Sequence, residues 1–311
     1  MEHLITLKDW SPAKIRAVLD LAKDVKAHPK KYNQAMAQKT LLMIFEKPSL
    51  RTRLSFEAGM TQMGGHAIYY HTGNSPMGSG KETISDSIKT ASRFVDIIMA
   101  RLFKHSDLLE MAEFATVPVI NALTDDSHPC QILADLQAIE EKKGTLSGLK
   151  LAYLGDGFNN VTHSLMFGGV KMGMHVAVGS PAGADFSPRA DVVEDCETFA
   201  ATSGGSVLVT ADPVAAIQDA DVVYTDSWMS YHIPKDQEAE RVKKFMPYQV
   251  SAELMRHAKP DAIFMNCLPA ARGYEQTAEV IDGPQSIVFD EAENRLHAQK
   301  AVILTLSNAI K

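Results

Sequence analysis

Leu41-Leu42-Met43-Ile44-Phe45-Glu46-Lys47-Pro48-Ser49-Leu50-Arg51-Thr52-Arg53 decides the fold class of this 311-residue chain. Five consecutive apolar residues closed by charge and proline form a buried strand, and the polar turn that follows ends on Ser49, a helix-capping residue. The spacing then predicts a helix from about Arg51 to the stop at Gly64-Gly65. A buried strand that runs straight into a helix N-terminus is half of a βαβ unit, and hence of a parallel sheet. Arg51 and Arg53 sit where the helix dipole is positive, so they oppose it, and stability alone would not choose them there. Together with the hydroxyls of Ser49 and Thr52 and the open backbone N–H groups of the first turn, they make a site for a dianionic phosphate.

The same alternation extends in both directions. Ser11-Pro12 opens a first helix with the apolar stripe Ile15, Val18, Leu19, Ala22, Val25. Further strands are expected at His66 to Tyr70, Asp96 to Ala100 and Val117 to Ile120. After the polar stretch Glu140-Glu141-Lys142-Lys143-Gly144 a second series begins, with strands at Lys150 to Leu154, His175 to Val178, Ser206 to Val209, Val222 to Thr225 and Ala262 to Met265. A closing helix spans Glu291 to Ile310. The expected architecture is α/β: two doubly wound parallel-sheet domains joined by interdomain helices. One takes residues 1–140 plus the C-terminal helix 291–311, and the other takes 141–290.

A net charge of −7 argues against a nucleic-acid or anionic-membrane partner. Hydrophobic residues at 45% and charged residues at 22% fit a globular protein with a substantial core. No apolar run approaches the roughly 20 residues a membrane helix needs, and the N-terminus does not read as a secretory signal. Three widely spaced cysteines, Cys130, Cys196 and Cys267, form neither a disulfide framework nor a cysteine zinc site. They suit a reducing cytoplasm.

Ligands in such sheets bind beyond the carboxyl ends of the strands, so the loops there carry the candidate chemistry. Arg101 ends one strand, and Asp125-Asp126-Ser127-His128-Pro129-Cys130-Gln131 follows another. There His128 can donate to a carbonyl oxygen and Gln131 can serve an amide. Asn266-Cys267-Leu268-Pro269 follows a third strand, where a thiol is ordinarily a small buried hydrophobe. Gly155-Asp156-Gly157-Phe158-Asn159-Asn160 imitates a dinucleotide fingerprint but has Asn160 for the third glycine and no acidic residue after the next strand. Gly78-Ser79-Gly80-Lys81-Glu82 imitates a phosphate loop, but Ser75 stands where the first glycine should be and Glu82 where a hydroxyl should follow the lysine. Both are rejected.

In order and spacing these motifs resemble the aspartate/ornithine carbamoyltransferase family over nearly the whole chain. Ser49-Leu50-Arg51-Thr52-Arg53 is similar to its carbamoyl-phosphate loop, and Met99-Ala100-Arg101 and His128-Pro129-Cys130-Gln131 match. His-Pro-Cys-Gln, Asn266-Cys267-Leu268-Pro269 and Glu293-Asn294-Arg295 resemble the ornithine branch. The resemblance implies transfer of a carbamoyl group from carbamoyl phosphate to the δ-amine of L-ornithine, giving citrulline and phosphate, with neither metal nor cofactor. It implies that Ser49, Leu50, Arg51, Thr52 and Arg53 hold the phosphate. Arg101, His128, Pro129, Cys130 and Gln131 then bind and polarise the carbamoyl group, and Cys267, Leu268 and Arg295 complete that pocket. It also implies that Asn160, Asp226, Ser230 and Tyr231 hold the amino acid, with Cys267 beside the reacting amine. The implied setting is a cytoplasmic homotrimer, or an assembly of trimers, with sites at subunit interfaces, serving arginine biosynthesis or the arginine deiminase route.

Four departures bear on these implications. Leu50 replaces a threonine, Phe158 is an insertion, and Ser230-Tyr231-His232 replaces Ser-Met-Gly in the loop over the amino acid. Pro76 stands where a neighbouring subunit's loop often supplies glutamine, with Lys81 as a substitute. The rivals are a carbamoyltransferase for another amine, putrescine or an acylated ornithine, and a family member that binds carbamoyl phosphate without turnover.

Overall fold

The computed structural model describes residues 1–229 and 233–309. The chain divides into two compact units, Met1–Gln137 with Glu293–Lys311, and Ala138–Ala292. The borders fall a few residues from those expected and lie inside two helices, each of which contributes to both units.

Unit 1 opens with α1 (Pro12–Ala27), capped by Ser11, whose side chain accepts from the Lys14 N–H. It continues through β1 (Thr40–Phe45), α2 (Leu50–Gln62), β2 (His66–His71), α3 (Ile84–Ala91), β3 (Ile97–Arg101), α4 (His105–Phe114), β4 (Val119–Leu123) and α5 (Pro129–Lys143). Its sheet has the order β2-β1-β3-β4, and every pairing is parallel. The continuous apolar run of β1 is the mark of a strand covered on both faces, and Leu41, Met43, Ile44 and Phe45 are buried. Chain direction reverses across the sheet at β1 and β3, so the loops beyond their carboxyl ends flank a topological switch point.

Unit 2 contains β5 (Lys150–Leu154), α6 (Asn160–Lys171), β6 (His175–Gly179), α7 (Ala190–Ser203), β7 (Ser206–Thr210), α8 (Pro213–Ile217) and β8 (Val222–Tyr224). After these come α9 (Glu238–Phe245), α10 (Ala252–Met255), β9 (Ile263–Met265) and α11 (Ala278–Ile281); α12 (Val288–Leu306) begins in this unit, and from Glu293 onward it belongs to unit 1. The sheet order is β7-β6-β5-β8-β9, again all parallel, with the switch point between β5 and β8. A core of Ala152, Leu154, Val223, Phe264, Ile217 and Val250 packs helices onto it.

The doubly wound expectation holds, and all nine expected strands are present within one to three residues of their predicted ends. The closing helix starts earlier than the sequence suggested, at Val288. Glu291, expected to begin it, instead lies within its first turn, fully buried, and accepts from the Asn266 N–H and the Tyr224 hydroxyl.

Candidate active site

In unit 1 the candidate residues gather at the carboxyl ends of β1, β3 and β4. Ser49 caps α2 as its sequence predicted, accepting from the Thr52 N–H at 3.2 Å and donating its own hydroxyl to Thr52 Oγ1 at 3.0 Å. Thr52 is fully buried. Its Oγ1 lies within hydrogen-bond reach of two guanidinium groups, Arg101 at 3.4 Å and Arg295 at 3.3 Å. A break in register between Ala100 and Arg101 against β4 turns Arg101 at the strand end, the ordinary use of a bulge beside a site. Glu46 ties the same region together, since its backbone N–H donates to the Arg101 carbonyl and its carboxylate accepts from the Phe103 N–H.

The Asp125–His128 turn is held by Thr124, whose hydroxyl accepts from the Ser127 N–H, and by Asn121, whose amide donates to the Ser127 carbonyl. Pro129 then starts α5, where its fixed φ suits the first helical position. Gln131 accepts from Arg295 at 2.6 Å and donates to the buried Asp135 at 2.8 Å, which fixes its amide. Cys130 donates to the Asn121 carbonyl, and burial pushes its thiol up to about 12, so it packs the turn as a neutral side chain.

Charge distinguishes this cluster from an ordinary polar turn. Burial holds the His128 pKa well below the ordinary histidine value, and the positive fields of Arg295, Arg101, Lys47 and Arg51 push it further the same way. His128 is therefore a neutral imidazole, able to donate a hydrogen bond to a carbonyl oxygen without adding charge. Lys47 is buried, with its ammonium 4.3 Å from the Phe103 ring, and desolvation followed by the Arg101 field lowers its pKa to about 8. Arg51 at the second position of α2 has no ion-pair partner among the described residues. Four cations around one neutral imidazole at a helix N-terminus suit an anion, with a hydrogen-bond donor at its edge.

Two loop residues take other positions. Leu50 is 70% exposed, and the Arg53 guanidinium pairs with Glu57 at 3.0 Å over the Tyr69 ring. Lys47 is the contributor that sequence reasoning missed. It stood inside the quoted motif, but only the three-dimensional placement of Arg101 shows which way its ammonium faces.

Unit 2 carries the other candidates at the ends of β5, β8 and β9. Asn159 caps α6, with its side-chain oxygen Oδ1 accepting from the Thr162 N–H at 2.8 Å, so Asn160 begins the helix. Asp226 follows β8 and accepts from the Ser227 N–H at 2.7 Å and from the Cys267 thiol at 3.1 Å. Asn266 presents Cys267: it is fully buried, its amide donates to Gln276, and its side-chain oxygen accepts from the Leu268 N–H. Leu268 has φ +56°, an uncommon conformation for a branched side chain, and the Asn266 contact holds it there. Cys267 is half-buried, more open than the small buried hydrophobe that its type alone suggested. Ser230 and Tyr231 lie outside the described residues.

The glycines of the rejected fingerprint serve packing. A Cβ on Gly157 would lie 2.7 Å from the Phe186 carbonyl, and Gly155 has φ +132° with the Trp228 indole nitrogen 3.1 Å from where its Cβ would be. Phe158 is half-exposed and sets its ring edge-on to His163 at 5.9 Å.

Residues 2–141 match the family model described as the carbamoyl-P binding domain of aspartate/ornithine carbamoyltransferase, and residues 147–306 match its Asp/Orn binding domain. The chain belongs to the aspartate/ornithine carbamoyltransferase family. It is 54% identical over 302 residues to the ornithine carbamoyltransferase of Symbiobacterium thermophilum, covering 96% of each chain. It is 50% identical over 310 residues to the enzyme named "Ornithine carbamoyltransferase, anabolic" of Pyrococcus furiosus, covering 99% of this chain and 97% of that one. The solved structure of ornithine carbamoyltransferase from Pyrococcus furiosus superposes with a TM-score of 0.94 at 49% identity, covering 100% of this chain and 98% of that one. The second carbamoyltransferase domain match runs into α12, whereas the compact units assign Glu293 onward, and with it Arg295, to the first.

Proposed function

We propose that this chain transfers the carbamoyl group of carbamoyl phosphate to the δ-amine of L-ornithine, giving L-citrulline and phosphate, in arginine biosynthesis. The observation that carries the reading is the convergence of Lys47, Arg51, Arg101 and Arg295 on the buried, neutral His128. A phosphate ester is a dianion that needs several cations at once, while the carbamoyl oxygen needs a neutral donor. Arg51, Ser49, Thr52 and Lys47 hold the phosphate in this reading. His128 donates to the carbamoyl oxygen as charge develops on it, and Arg101 and Arg295, set by Thr52 and Gln131, stabilise the leaving phosphate and the tetrahedral intermediate.

Asp226 takes the α-ammonium of ornithine, Asn160 takes its carboxylate, and Cys267 sits beside the attacking amine. The uncharged amine forms the C–N bond, the C–O bond to phosphate breaks, and the amine's proton leaves with the phosphate or to water. Residues 1–137 with 293–311 serve carbamoyl phosphate and residues 138–292 serve the amino acid. The protein works as a cytoplasmic homotrimer. Leu50 and Leu54, exposed one turn apart on α2, and the family resemblance support that assembly. Among the described residues, no helix is long and apolar enough to cross a membrane.

Phosphate release and product analysis with a panel of ornithine, putrescine, N-acetylornithine and aspartate test the reading. Citrulline from ornithine as the preferred reaction supports it. Preference for another amine keeps the transfer chemistry and overturns the substrate, and no turnover with any amine overturns both.

Lys47 gives a pH prediction. A cation with pKa about 8 is charged below that pH and neutral above it, so the free enzyme loses one phosphate-binding charge on the alkaline side. The carbamoyl phosphate KM rises above pH 8 in the wild type. Lys47→Gln raises that KM about 10-fold at pH 7 and removes the alkaline rise, and Lys47→Arg moves the rise out of range. An identical KM–pH curve in all three proteins counts against Lys47 as a ligand.

A further inference from the structure

Arg241 lies on α9, fifteen residues beyond Asp226, and belongs to none of the motifs above. Its side chain is only 12% exposed, and it makes two directed contacts. One terminal nitrogen pairs with Asp156 at 2.5 Å, and Nε donates to the Trp228 carbonyl at 2.9 Å. Its guanidinium also lies 5.0 Å from the Phe245 ring, which in turn stacks on Trp228 at 5.7 Å.

Each partner is the root of a loop that carries a residue assigned to the amino acid. The Asp156 carboxylate accepts from the Phe158 N–H, and its carbonyl accepts from the Asn159 amide and the Thr162 hydroxyl, so it fixes the turn that delivers Asn160. Trp228 is two residues beyond Asp226 and is fully buried; among the described residues its indole N–H has no partner, so ring packing and backbone bonds hold it. Its backbone N–H donates to Glu275, whose second carboxylate oxygen accepts from the Ala271 N–H beyond Cys267. Arg241 therefore joins the β5 turn to the β8 loop, and Glu275 carries the connection on to the segment after β9.

Resting on the proposed function, we infer that Arg241 is the positioning residue of the amino-acid half-site: it sets the spacing of Asn160 and Asp226 by bridging Asp156 and Trp228. The bridge needs a planar fork. A lysine can keep the ion pair with Asp156 but cannot at the same time offer the second, fixed donor to the Trp228 carbonyl. A residue that merely held the unit together would weaken folding and disturb both substrates alike, whereas a spacing residue raises the KM of one.

The test is steady-state citrulline formation with each substrate varied, in full-length wild type, Arg241→Gln, Arg241→Lys and Asp156→Asn. Arg241→Gln raises the ornithine KM about 10–100-fold and leaves the carbamoyl phosphate KM within about twofold, with Arg241→Lys and Asp156→Asn between it and wild type. Acrylamide quenching of Trp228 fluorescence, in a Trp10→Phe background that removes the other of the two tryptophans, increases in Arg241→Gln. An unchanged ornithine KM in Arg241→Gln, or equal rises in both KM values, overturns the inference. Absence of citrulline from the wild type overturns the functional reading instead, and the quenching comparison then still decides whether Arg241 holds the loop. Should Arg241→Gln fail to fold, the KM ratios of Arg241→Lys and Asp156→Asn decide in its place, by the same criterion.

Discussion

Arg51→Ala lowers kcat/KM for carbamoyl phosphate by about 10²–10³, the loss of a charge-assisted, bidentate contact of roughly 2–4 kcal/mol at a desolvated anion site. The fold should tolerate the change unusually well. Arg51 stands in the first turn of α2, its side chain has no carboxylate partner among the described residues, and a cation there opposes the helix dipole. Its removal leaves Tm unchanged or slightly raised. The two effects have opposite signs only if Arg51 is there for a ligand. Kinetics with both substrates varied, alongside a thermal melt, separate the cases. Near-normal turnover would take Arg51 out of the phosphate site, and a large fall in Tm would make it a structural residue.

That opposition between dipole and charge also makes this part of the site legible in the sequence alone. Ser49, Thr52 and Arg51 belong to one strand–turn–helix segment, and their geometry follows from local rules for capping and helix polarity. The strands were legible for the same reason, being short apolar runs bounded by polar turns. What stayed hidden depends on partners distant in sequence. Gln131 is oriented by Arg295, 164 residues away, and Asn266 is held by Glu291 from the first turn of α12. Lys47 acquires its depressed pKa from burial and from Arg101 on a neighbouring strand. Arg241 looks like any arginine on a charged, solvated helix, and its significance arises only because the β5 turn and the β8 loop converge on it. The register break that turns Arg101 has no signature in the β4 sequence, and Ser230-Tyr231-His232 lies outside the described residues.

The choice of amine gives the second large effect. In the proposed site ornithine and putrescine both bring an ammonium to Asp226, and they differ by one carboxylate. Unit 2 gathers three acidic side chains, Asp156, Glu275 and Asp226, with the field of Asp226 reaching the other two. Asp156 is committed to Arg241, and burial raises its pKa to about 6 despite that partner. Glu275 is committed to the backbone N–H groups of Trp228 and Ala271. In the proposed reading Asp226, whose carboxylate accepts from the Cys267 thiol, meets the ammonium, and Asp226→Asn lowers kcat/KM for ornithine by about 10²–10³. Because putrescine shares that ammonium, the variant should depress both substrates and leave their ratio nearly unchanged. In the same reading discrimination belongs instead to the groups proposed to receive the carboxylate, Asn160 and the first-turn N–H groups of α6, where the helix dipole favours an anion. Polar groups built for a carboxylate are left unpaired by putrescine, so the wild type prefers ornithine by about 10³-fold or more. Asn160→Ala narrows that preference while Asp226→Asn does not. Measuring kcat/KM for both amines in the three proteins checks the division of labour, and a ratio that collapses in Asp226→Asn, or one that favours putrescine in the wild type, would reassign the recognition of the carboxylate.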